Sequence, residues 1–111
     1  MYEEAAKKLK QNTKIMEQTF KKENLNIESF NVRDADDDGS CKFLIELTSE
    51  SLEHDVEIKV NIYDENDDIY AVESSKLYVE DFSGYDTVEV YFSQGGTLEK
   101  VAWARIYVTK V

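Results

Sequence analysis

The chain has 111 residues, enough for one domain with a single core, and its composition of 41% hydrophobic and 12% aromatic residues is that of a globular protein. A net charge of −11 excludes duplex nucleic acid, whose binding needs a basic surface to release counterions, and disfavours anionic membranes for the same reason. No apolar run approaches the ~20 residues that span a bilayer, so membrane insertion is not expected either.

The N-terminus, Met1 to Lys8, alternates charge with small residues and has no apolar signal core. The protein is therefore expected to be cytoplasmic as it stands, or extracytoplasmic if it is cut from a longer exported chain. From Tyr2 the residues Tyr2, Ala6, Leu9, Thr13, Met16 and Phe20 recur at spacings of three and four, with Lys, Glu and Gln between them. That stripe predicts an amphipathic helix over about 2–22. Asn24 is a natural stop, because Asn tolerates the left-handed conformation at a helix end. Residues 1–24 carry six lysines against four glutamates, a net of +2 that leaves −13 for the rest of the chain. Two units follow: an N-terminal helix over 1–24 and a β-sandwich over 25–111.

Beyond the helix the period changes to two. Phe30 and Val32 open a first strand, and Cys41, Phe43, Ile45 and Leu47 alternate with polar residues in a second. Val56, Ile58, Val60 and Ile62 make a third, Ile69 and Ala71 a short fourth, and Leu77 and Val79 a fifth. Val88, Val90 and Phe92 make a sixth; Ala102, Ala104, Ile106 and Val108 form the core side of a seventh. Turn-forming residues separate them: Asp36-Asp37-Asp38-Gly39, Asp64 to Asp67, Ser83-Gly84-Tyr85-Asp86 and Gln94-Gly95-Gly96. Seven short strands with turns at this spacing predict a mainly β fold, a seven-stranded antiparallel immunoglobulin-like sandwich behind one N-terminal amphipathic helix. Tyr85 stands where such folds fasten a corner with a tyrosine hydroxyl on the backbone.

Two stretches, Val60-Asn61-Ile62-Tyr63-Asp64-Glu65-Asn66-Asp67 and Asp81-Phe82-Ser83-Gly84-Tyr85-Asp86, resemble bacterial immunoglobulin-like modules of the FxLYD kind. The resemblance runs from Thr48 to Phe92, less than half of the chain, and departs at Asn66-Asp67, where those modules usually place Gly. It implies a bacterial adhesive or accessory domain without catalytic activity.

Little in the chain suits catalysis. His54 is the one histidine, between Glu53 and Asp55 in an expected turn, and the four glycines open no helix. Cys41, the one cysteine, falls on the core side of its strand and has no partner for an internal disulfide. The chain is not expected to be an enzyme.

Two binding readings remain. The first is aromatic. If the even positions of the last strand face the core, Trp103, Arg105 and Tyr107 face outward, and by the same parity so do Tyr63 and Tyr91. In an immunoglobulin-like sandwich these strands are neighbours, which makes Tyr63, Tyr91, Trp103, Arg105 and Tyr107 one large face. Either the N-terminal helix covers it, or it binds a protein partner or a second copy. The leading function is accordingly protein–protein interaction or structural support. The second reading is calcium: the alternating carboxylates Asp34, Asp36 and Asp38 before Gly39 can converge on the ion, and Asp36, Asp38, Asp64 and Asp67 resemble the two-loop set of calcium-dependent phospholipid-binding sandwich modules. No other cofactor is implied.

Overall fold

A computed structural model describes residues 2–36, 40–93 and 100–111. Its elements run α1 (Tyr2–Gln11), β1 (Thr13–Ile15), α2 (Glu17–Lys22), β2 (Asn26–Arg33), β3 (Cys41–Thr48), β4 (Val56–Asp64), β5 (Ile69–Leu77), a 3-10 turn (Val79–Asp81), β6 (Tyr85–Phe92) and β7 (Val101–Lys110). The protein is mainly β, in two sheets, as expected. Among the described residues no helix is long and apolar enough to cross a membrane.

The N-terminal helix exists but is shorter than the stripe predicts. It ends at Gln11, and β1 and α2 follow within the stretch read as one helix. The cause is local competition joined to tertiary demand. Asn12 and Thr13 turn their side chains back onto the carbonyls of Lys8 and Leu9, which gives the backbone an alternative to the next helical turn. Thr13-Lys14-Ile15 then pairs in parallel with Ala104–Ile106 of β7. β-Branched residues suit that extended edge, and the pairing occupies backbone groups that β7 would otherwise leave open.

The expected stop at Asn24 is found. Asn24 has φ +60°, its N–H donates to the Lys21 carbonyl, and Leu25 N–H donates to the Phe20 carbonyl. This is a Schellman ending, with Phe20 and Leu25 both in the core.

Seven strands are present among the described residues, though not the same seven. The stretch read as a fourth and a fifth strand is one continuous β5 from Ile69 to Leu77, with Ile69 exposed at its start and Val79 in the 3-10 turn beyond it, and β1 supplies the missing member. One sheet has the order β1-β7-β4-β5 and the other β2-β3-β6. Every pairing but β1 with β7 is antiparallel. The order is compatible with an immunoglobulin-like sandwich, in which β2, β3 and β6 stand for strands A, B and E. On the facing sheet β1, entering from the N-terminal side, lies where a last strand would pair with β7.

Alternating residues of both sheets fill the core: Phe43, Ile45 and Leu47 from β3, Val56, Ile58, Val60 and Ile62 from β4, and Ala104, Ile106 and Val108 from β7. Phe43 and Phe92 meet edge to face with ring centroids 5.9 Å apart. The two helices pack against both β2 and β7, at the side where the sheets part. They insert Leu9 and Phe20, 0% and 1% exposed, into the same cluster as the strand residues. Residues 1–24 and 25–111 therefore share one core. Burying each of these two side chains contributes about 1.5–3 kcal/mol.

The Gln94-Gly95-Gly96 turn lies outside the described residues. Tyr85 is exposed rather than clasped; its hydroxyl stands 3.4 Å from the Thr87 hydroxyl instead of on backbone. The corner is instead made by Gly84, whose φ of +101° favours glycine and whose carbonyl accepts from Ser49 N–H.

Candidate interaction surface

The outward positions of the four-stranded sheet form cross-strand rows. Tyr63 of β4 stands opposite Trp103 of β7, Asn61 opposite Arg105, Lys59 opposite Tyr107, and Glu57 opposite Thr109. On the flanks Lys14 of β1 is paired with Arg105, and Val72, Ser74 and Lys76 of β5 with Asn61, Lys59 and Glu57. The period of two that puts Val60, Ile62, Ala104 and Ile106 inside puts these residues outside.

At the centre Tyr63 and Trp103 stack, with ring centroids 4.1 Å apart and planes 14° from parallel. The Arg105 guanidinium lies 5.2 Å from the Trp103 ring centre and 5.5 Å from that of Tyr63. Lys14 Nζ stands 4.8 Å from the Trp103 ring centre, so the indole face collects two cations. A polar chain holds the ring positions. Tyr107 donates its hydroxyl to Asn61 Oδ1, and Asn61 Nδ2 donates to the Tyr63 hydroxyl. The indole N–H of Trp103 donates to Asp67 Oδ1 at 2.8 Å. A register shift after Tyr63, where β7 skips from Trp103 to Val101, strengthens the local twist and brings the two rings together.

Tyr63, Trp103, Arg105 and Tyr107 are thus brought together as the alternation predicts. Packing against one another leaves them less open than a bare patch: Tyr63 is only 8% exposed, and the other three are half-buried. Tyr91 does not belong to the group. Its strand, β6, pairs with β3 from Cys41↔Phe92 to Thr48↔Tyr85, so Tyr91 lies on the outer face of the other sheet, 53% exposed. The helices do not cover the aromatic face; they close the side between β7 and β2. Lys14, Asn61 and Lys59 were not singled out from sequence. Lys14 was hidden in the helical stripe, although Thr13-Lys14-Ile15 carries the branched alternation of a strand.

The acidic loops are engaged locally. Asp64 Oδ1 accepts from the N–H groups of Asn66 and Asp68, which closes the β4–β5 turn, and Asp67 holds Trp103. Asp34 pairs with Lys42 at 2.9 Å, and Lys42 also reaches Glu89 at 3.2 Å. Hydrogen bonds from Asp34 and then Glu89 hold the Lys42 ammonium above its ordinary pKa. Asp36 is exposed beside this pair, and Asp38 lies outside the described residues. Among the described residues no three acidic, histidine or cysteine side chains converge as a metal site would require.

Compared with known proteins, the chain matches no family model, and neither a curated protein nor a solved structure is significantly similar to it.

Proposed function

We propose that this protein is a non-catalytic interaction module that engages a protein partner through the outer face of the β1-β7-β4-β5 sheet. The observation that carries the reading is the Trp103–Tyr63 stack flanked by Lys14 and Arg105. Interface hot spots are enriched in Trp, Tyr and Arg, and rings held by neighbours lose little entropy when a partner arrives. Here the stack and the Tyr107–Asn61–Tyr63 hydrogen bonds do the holding before any partner binds.

The chemistry elsewhere supports a non-catalytic role. Burial pushes the Cys41 thiol up to about 11, which keeps it from acting as a nucleophile at neutral pH. His54 is exposed in the loop between β3 and β4. The likeness of residues 48–92 to FxLYD-type modules supports the same class.

The test compares what immobilised wild type, Tyr107→Ala and Tyr91→Ala proteins retain from a cell extract, with thermal melts to confirm that each is folded. A protein held by wild type and by Tyr91→Ala but released by Tyr107→Ala is the expected result. Identical retention by all three removes the face from consideration.

A further inference from the structure

The charge on this face runs against the charge of the molecule. Its outward strand positions hold Lys14, Lys59, Lys76 and Arg105 against Glu57, and Asp67 reaches its rim at the Trp103 indole N–H, a net of +2 on a chain of −11. Everything else then carries −13. The cations are also largely unneutralised. Glu57 Oε1 stands 3.8 Å from Lys59 and its other oxygen accepts from Ser74, but no carboxylate among the described residues lies within ion-pair distance of Lys14, Lys76 or Arg105. In a chain with 24 acidic residues that separation is not what solvated, interspersed charge looks like. Arg105 is the clearest case. Its guanidinium is held by two aromatic rings, its Nε is buried without an acceptor, and no acceptor for the group occurs among the described residues.

We infer that the partner of this face is a short acidic segment of another protein, bound with its carboxylates on Lys14, Arg105 and Lys59 and its apolar stems on Trp103 and Tyr107. This rests on the reading of the face as an interaction surface. The cations span three neighbouring strands, roughly 10–15 Å at the ordinary strand spacing, the length of about four extended residues. Size decides between anions. A duplex or an anionic bilayer extends well past such a footprint and meets the surrounding net negative charge, which repels it, whereas a short segment touches only the basic stripe. A second copy brings its own net −11 to the contact, so self-association starts from net repulsion. The arrangement also gives specificity: an unpaired guanidinium clamped by rings offers carboxylates a preset, charge-assisted hydrogen bond.

The test is an amide and indole N–H chemical-shift titration of the full chain with acetylated hexaglutamate at low salt. Hexalysine, a six-nucleotide oligothymidine and dilution of the protein alone serve as comparisons. The expected result is saturable movement of the Trp103 indole signal and of the amides of Lys14, Lys59 and Arg105. Affinity should fall by about tenfold or more from low to physiological salt, as exposed ion pairs are screened. The double variant Lys14→Glu, Lys59→Glu changes two side chains outside the core, so it should stay folded and should abolish saturation. Four outcomes overturn the inference: no movement with hexaglutamate, movement the double variant leaves intact, movement with oligothymidine instead, or shifts of the face on dilution alone. If hexaglutamate fails while a partner released by Tyr107→Ala is still found, the acidic chemistry is wrong and the interaction face stands. If both fail, the face is structural.

Discussion

Burial gives Cys41 its chemistry as well as its place. The residue is 0% exposed, and loss of solvent pushes its thiol from 9.0 to about 11. Between those values the unfolded chain has released the proton and the folded chain has kept it. Stability is therefore undiminished below about pH 9 and falls as pH rises toward 11, by about 2–3 kcal/mol in all if this group acts alone. Denaturant titrations across pH 8–11 should show that slope in wild type and a shallower one in Cys41→Ala. A thiol reagent at neutral pH should label the native protein only as fast as it unfolds. Trp103→Ala removes the stack on Tyr63, two cation contacts and the Asp67 hydrogen bond, but it opens no cavity in the central core. A loss of about 1–2 kcal/mol is expected, between a surface change and the ~3–5 kcal/mol of a buried aromatic truncation. A thermal or urea melt of the variant checks it; a loss of more than about 4 kcal/mol would place Trp103 in the core.

Among the elements, the N-terminal segment shows how far local pattern and fold can differ. Leu9 and Phe20 lie eleven positions apart on one periodic stripe, yet the chain leaves the helix, forms β1 and enters a second helix between them. Their spacing tells which side chains are apolar; it does not tell that β7 has an open edge for Thr13–Ile15 to pair with. The same limit explains Tyr91. Its outward orientation follows from alternation within β6, but which sheet β6 joins depends on its long-range pairing with β3. Trp103, Arg105 and Tyr107 were legible because all three lie on one strand, and Tyr63 because β4 neighbours that strand in either arrangement. Since Leu9 and Phe20 are fully buried in the shared core, Leu9→Ala should cost about 2–5 kcal/mol. A chain lacking residues 1–24 should lose cooperative unfolding, as measured by circular dichroism, rather than merely uncover the aromatic face.

For the whole molecule, 24 acidic residues against 13 basic ones make self-repulsion the dominant long-range force. Raising ionic strength from about 10 mM to about 150 mM shortens the screening length from about 30 Å to about 8 Å, and the melting temperature should rise with it. Calcium chloride and magnesium chloride at equal ionic strength should give the same rise after chelator treatment. The physical reason is local: Asp64 closes its turn, Asp67 holds the indole and Asp34 is paired with Lys42. A calcium-specific increase in calorimetry would show that the loops bind the ion after all. Short-range alternation and composition carry a mainly β protein, the core faces of β3, β4 and β6 and of β7 from Ala104 onward, the outward Trp103-Arg105-Tyr107 series and the helix end at Asn24. Long-range pairing alone makes β1 complete the edge of β7, takes Tyr91 on β6 to the opposite face, and brings Lys14 and Arg105 onto the Trp103–Tyr63 stack. Those outcomes depend on pairing between residues far apart in the chain, and the free energy that selects one pairing over another is set by the packed core, not by any local run of residues.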